Sequence, residues 1–216
     1  MSQVVAGFLT VFVGLFPIVN PLGMAPIFLR LTSGSSATTR ALLAWRIAVG
    51  GFALMVVSLF VGSHILAFFG LTVQAMQIAG GLVVMAAGWR LLQQGDDARE
   101  REQQVPVAEE VMLRHAFFPL TMPLTVGPGT ISVAITLGTK GSGAPALLPL
   151  AGGALLAALA VAAAIYFCYR FAERVLRFLG ESGTDVFLRL SAFVLLCLGV
   201  QILTNGIAEL PIWSGR

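Results

Sequence analysis

Charge is what this chain has least of. Charged residues make up 11% of it and hydrophobic ones 57%, whereas a soluble domain carries about 25% charge. That excludes an ordinary water-soluble domain and places the chain in a bilayer. Cysteine is almost as scarce. The two present, Cys168 and Cys197, lie in separate apolar stretches with no CxxC spacing, which excludes a disulfide framework and a paired-thiol redox relay and leaves packing as their role. No Asp, Glu, Lys or Arg falls near the middle of any apolar stretch, so there is no evident proton carrier within the membrane. His64 and His115 sit near stretch ends and read as interfacial residues. There is no HExxH, no GxSxG and no pair of midplane aspartates, and no ligand spacing for a metal. An enzyme is not expected, nor a cofactor. The net charge of +3 does not indicate nucleic acid, because the basic residues lie between apolar stretches rather than on one face.

What is present is a set of six apolar stretches, each near the roughly 20 residues that a crossing needs. They run about Val4–Leu29, Ala41–Leu66, Val73–Leu92, Ala116–Leu137, Pro145–Tyr169 and Val186–Ile207, and predict an all-α membrane protein with six transmembrane helices. No basic cluster precedes the first stretch, which predicts a retained helix rather than a cleaved signal. Basic residues set the direction. With both termini outside, every Arg except Arg216 falls on the inner side, and only Lys140 and Arg216 remain outside. Trp45 and Trp89 then mark the inner interface and Trp213 the outer one. The acidic segment 93–114, which includes Asp96, Asp97, Glu100, Glu102, Glu109 and Glu110, reads as a solvated cytoplasmic linker.

Proline and glycine interrupt two of these stretches in the same way. FPIVNPLGMAP, from Phe16, and FPLTMPLTVGP, from Phe118, place Pro17, Pro21 and Pro26 against Pro119, Pro123 and Pro128 at one constant spacing. The third and sixth stretches echo each other too, with Gly88 against Gly199 and the small pair Gly80-Gly81 against Ser191-Ala192. The chain thus reads as two three-helix repeats, residues 1–92 and 115–216. Three crossings are odd in number, so the second repeat enters from the opposite side and the repeats are inverted. Proline-broken helices at corresponding places in inverted halves point to a transporter's binding site. The breaks free amides and carbonyls that lipid cannot satisfy and that a solute can use. Helix N-termini suit a carboxylate and carbonyl ends an ammonium or cation.

The candidate substrate-binding residues are therefore Pro17, Asn20, Pro21, Gly23 and Pro26 in the first break, with Pro119, Thr121, Pro123, Thr125, Gly127, Pro128, Gly129 and Thr130 in the second. Asn20 is able either to hold a substrate or to satisfy broken backbone, and the three threonines share that ambiguity. Gly23, Gly127 and Gly129 allow close backbone approach or a positive φ. Gly50-Gly51, Gly80-Gly81 and Gly152-Gly153 suit close helix packing, within one chain or between copies in a homo-oligomer.

In these residues the chain resembles the MarC family of bacterial inner-membrane proteins, which includes the small neutral amino acid transporters called SnatA. The family's first motif is complete in Pro17, Asn20, Pro21, Gly23 and Pro26. Its second is met by Pro119, Leu120, Pro123, Gly127, Pro128 and Gly129, and its IAGG by Ile78-Ala79-Gly80-Gly81. Asn20 stands where many relatives carry Asp, Gln77 where an arginine is common, and Ala192 where a glycine is common. The resemblance implies six spans, kinship with LysE-type exporters, residence in the inner (plasma) membrane and movement of alanine, glycine or serine. A coupling Na+ or proton would have to use carbonyls, hydroxyls or Asn20, unless transport is uncoupled. The competing readings are an exporter of another small solute or of a divalent metal ion, for which only Asn20 is on offer, and a membrane protein that transports nothing.

Overall fold

A computed structural model describes residues 3–32, 34–97, 109–141 and 147–210, and every regular element among them is helical. In order these are α1 (Gln3–Val19), α2 (Pro21–Leu31), α3 (Ala37–Phe60), α4 (Gly62–Phe68), α5 (Val73–Asp97) and α6 (Glu109–Arg114). A kinked segment follows (Ala116–Thr125), then α7 (Pro128–Gly141), α8 (Leu147–Arg170) and α9 (Ala172–Ala208). Local chemistry explains several of the ends. Ser36 caps α3 by accepting from the Thr39 N–H at 3.2 Å, and Gly70 takes φ 66° where the chain reverses between α4 and α5.

Five helical stretches are long and apolar enough to cross a membrane: Gln3–Leu29, Ala37–Phe60, Val73–Gln93, Leu150–Arg170 and Ser182–Ala208. There are six if Ala116–Thr125 and Pro128–Thr139, bent by 67° to each other, make one span. Two boundaries differ from expectation. The second stretch does not run unbroken to Leu66 but turns at Val61, and Gly62 then brings α4 against the Ile135 side chain of α7. The sixth is preceded by a separate piece, because Gly180 at φ 67° divides Ala172–Leu179 from the span. Of the acidic linker, residues 98–108 lie outside the described residues, as do Trp213 and Arg216.

Lipid is as apolar as a leucine side chain, so helices associate here through close packing rather than through escape from water. Small residues carry that packing. Antiparallel α5 and α9 touch backbone to backbone: a Cβ on Gly81 would lie 2.6 Å from the Leu203 nitrogen and 2.8 Å from the Gly199 oxygen, and one on Gly88 2.6 Å from the Leu196 nitrogen. In the same way α1 lies along α8, where a Cβ on Gly7 would come within 2.9 Å of the Leu150 oxygen. Helices α3 and α7 fill the space between, and Gly138 sits against the Leu59 backbone. The main core gathers Leu15, Phe28, Leu43, Ile47, Met55, Val126 and Ile165. Outward-facing Val13, Leu159, Phe167 and Phe193 are exposed, as lipid-facing residues should be. On the face that carries the arginines, Arg40 pairs with Glu173, and the Arg46 guanidinium donates to the Leu113 carbonyl at 3.2 Å.

Candidate functional site

The first break is narrower than three prolines suggest. Only Asn20 leaves the helix, at φ 45°, while its N–H still donates to the Phe16 carbonyl at 3.0 Å and its carbonyl accepts from the Met24 N–H at 3.0 Å. Helical bonding therefore spans the interruption, and Gln3–Leu29 remains one crossing. Pro21 opens α2 at the position where a missing N–H costs least, and it is fully buried. Asn20 Oδ1 accepts from the Gly23 N–H at 3.2 Å, so its side chain caps the helix that its own backbone starts. Any side chain at Gly23 would run into that amide. Asn20 Nδ2 makes no hydrogen bond among the described residues. Pro17 and Pro26 lie inside α1 and α2 and withhold a donor from the Val13 and Leu22 carbonyls.

The second break is a wider disruption. Phe118 and Met122, each before a proline, are extended at φ −123° and −120°, since proline disfavours the helical region for the residue before it. The two proline peptide bonds here are cis. The bonding loosens to a five-residue reach, with Leu120 N–H to the His115 carbonyl at 3.3 Å and Val126 N–H to the Thr121 carbonyl at 2.8 Å. Two threonine hydroxyls add bonds to backbone carbonyls within the break. The Thr121 hydroxyl donates to the Ala116 carbonyl and the Thr125 hydroxyl to the Leu120 carbonyl, both at 2.7 Å. Pro119 and Pro123 themselves face outward. Pro128 opens α7, leaving the Gly129 and Thr130 N–H groups in its first turn, ahead of the Ile131 N–H that bonds to the Gly127 carbonyl at 3.1 Å.

Both breaks reach the packed pair of α5 and α9, the second through α5 and the first through α9. Gly129 lies against Val84, 3.3 Å from the Gly80 oxygen measured from where its Cβ would be. Ile18, two residues before Asn20, packs on the cluster of Val84, Leu195 and Ile202. A second bridge joins the broken spans lower in the core. Tyr169 of α8 stacks on Phe28 of α2 with centroids 4.5 Å apart, and its hydroxyl meets the Thr125 hydroxyl at 2.9 Å. The positive φ of the first break lies at Asn20, and of the two uses open to Gly23, Gly127 and Gly129, close approach is the one found. Gly50-Gly51 serves it too, since a Cβ on Gly50 would lie 3.1 Å from Thr121 and one on Gly51 3.1 Å from Val126.

Besides Tyr169, the polar residues buried among those described are threonines, serines and Gln77, with no Asp, Glu, Lys, Arg or His. Most are already committed: Ser132 donates to the Met76 carbonyl at 2.8 Å and Thr136 to the Ser132 carbonyl at 2.9 Å. Thr130 is 3% exposed and its hydroxyl makes no hydrogen bond among the described residues. Gln77 is 3% exposed, and its Oε1 is buried without a partner among them, a condition that costs roughly 1–3 kcal/mol. No group of three or more His, Cys, Asp or Glu side chains able to hold a metal occurs among the described residues. Sequence reasoning singled out the breaks but missed Val84, Tyr169 and Gln77 as their surroundings. All three look like ordinary span residues until the helices are packed.

The pattern described as "MarC family integral membrane protein" matches residues 5–210. The inner membrane protein MarC of Salmonella arizonae is 33% identical over 204 residues, covering 91% of each chain. That of Salmonella typhimurium is 32% identical over 203 residues and that of Escherichia coli O1:K1 33% over 204, again covering 91% of each chain. No solved structure matches this chain. With both proline motifs in place on broken helices and the match running through nearly every described element, the chain belongs to the MarC family of integral membrane proteins.

Proposed function

We propose that this chain is a secondary transporter of the inner membrane that exports small neutral amino acids such as alanine, glycine and serine by alternating access. In this reading it crosses six times as two inverted three-helix repeats, residues 1–92 and 115–216, joined by the cytoplasmic segment 93–114, with both termini outside. The observation that carries it is the convergence of two proline-broken spans on the packed pair of α5 and α9, in a core whose buried polar residues are all uncharged. Such breaks are where transporters of inverted-repeat design hold their solute.

The contacts between α5 and α9 support the repeat. Gly81 corresponds to Ala192 and Gly88 to Gly199 in the two halves. Exchanging the halves turns the contact of Gly81 with Gly199 into one of Ala192 with Gly88, and both contacts are made. A twofold axis in the membrane plane has this property. The chemistry favours a zwitterion. The first-turn N–H groups of α7 and the Asn20 Nδ2 are donors for a carboxylate, and the carbonyls that the prolines leave without donors are acceptors for an ammonium. A net-neutral solute needs no buried counter-charge, which this site does not offer. The relatives' names place them in the inner membrane, and that is the compartment assigned here.

The test is counterflow of labelled alanine into proteoliposomes of the purified protein, with and without a sodium or proton gradient. Saturable uptake competed by glycine and serine is expected, and Gly127→Leu, whose Cβ would lie 2.9 Å from the Pro123 oxygen, should insert normally but transport poorly. Uptake no greater than in empty liposomes for all three amino acids would refute the proposal.

A further inference from the structure

Gln77 Oε1 is the one side-chain polar atom that is itself buried and without a hydrogen-bond partner among the described residues. Its place in the fold is specific. Gln77 lies seven residues before Val84, two helical turns away on the same face of α5, about 10 Å along the axis, and Val84 is where Gly129 of the second break packs. On one side α9 closes in, where a Cβ on Gly206 would lie 2.9 Å from the Gln77 Cβ. On the other α7 is pinned by the Ser132 hydroxyl on the Met76 carbonyl at 2.8 Å. The amide is thus held between three helices, beyond the breaks toward the Val73 end. A structural glutamine in such a place would be expected to bond to a neighbouring helix, as the Ser132 hydroxyl bonds to the Met76 carbonyl. Gln77 does not.

We propose that Gln77 is a specificity-determining residue on the transport path, whose carbonyl oxygen accepts a hydrogen bond from the ammonium group of the passing solute. The inference rests on the transport reading and deepens it. Asn20 and the α7 N-terminus present donors, which favour the carboxylate; Gln77 presents the acceptor that distinguishes an amino acid from a simple carboxylic acid. An amide accepts from an ammonium without carrying charge itself, which suits a neutral solute.

The experiment compares wild type with Gln77→Leu, which keeps the bulk and removes the amide. Two readouts are taken: thermal unfolding of the ligand-free protein in detergent, and inhibition of labelled alanine counterflow by unlabelled alanine and by propionate, its analogue without the ammonium. Gln77→Leu should melt at or above the wild-type temperature, since no protein bond is lost. The preference for alanine over propionate should fall about ten- to hundredfold, the usual value of a hydrogen bond to a charged group. A lower melting temperature would show that the amide has a protein partner and would overturn the inference whatever the flux. Unchanged preference in an active variant would overturn it as well, leaving water as the amide's partner. Wild-type liposomes that take up no alanine would instead refute the transport reading, and the ammonium assignment with it.

Discussion

Asn20 makes two separable contributions, and substitutions at this one position distinguish them. Its backbone sits at φ 45°, a region that costs an alanine about 1–2 kcal/mol and a glycine almost nothing. Its side chain accepts from the Gly23 N–H at 3.2 Å, a cap worth about 1 kcal/mol. Asn20→Gly should therefore lose about 1 kcal/mol and Asn20→Ala about 2–3 kcal/mol. At about 2–4 °C per kcal/mol for a chain of this size, alanine should melt at least 2 °C below glycine, read from tryptophan fluorescence during heating in detergent. Asn20→Asp retains the accepting oxygen and so the cap, but replaces the free Nδ2 donor with a carboxylate oxygen. It should insert and melt close to wild type while losing most alanine counterflow, because an acceptor then faces the solute's carboxylate. Alanine as stable as glycine would refute the left-handed kink. An Asp variant that transports normally would remove Asn20 from the site and leave it as a cap alone.

Other variants probe the frame around the breaks. Gly81→Leu should separate α5 from α9, because the contact is with backbone at 2.6–2.8 Å; a loss of at least about 1–3 kcal/mol is expected, seen as less folded protein on gel filtration. Gly152→Leu, with nothing within 4 Å of its Cβ, should be tolerated in the same assay. Thr125→Val removes the hydroxyl that serves both the Leu120 carbonyl and Tyr169, and should lower the melting temperature more than Tyr169→Phe, whose single bond is worth about 0.6–1.5 kcal/mol. In a background with Cys168 and Cys197 replaced by alanine, Lys140→Cys should react with an impermeant maleimide from outside intact cells and Arg101→Cys only after permeabilisation. The opposite pattern would invert the assigned topology.

Much of this protein is determined by the order of its residues. Lipid imposes a length and an apolarity on every crossing, so the spans could be read to within a few residues, and the proline motifs marked the places where helical bonding had to fail. Proline acts locally, through its missing N–H and its effect on the residue before it, which is why Phe118 and Met122 are extended as the chemistry requires. How far each break disturbs its helix was not legible. Pro17, Pro21 and Pro26 leave one residue out of the helix because the Asn20 side chain supplies the missing acceptor and its backbone keeps both neighbouring bonds. Pro119, Pro123 and Pro128 accompany a 67° bend whose carbonyls two threonine hydroxyls then occupy. Nor did the order of residues show that the second break settles on Val84, that Tyr169 ties Phe28 to Thr125, or that the Gln77 Oε1 has no partner among the described residues. Those facts depend on which helix faces which at distances of a few ångströms. In a medium where every span is uniformly apolar, only close packing decides that, so it appears only once the helices are assembled.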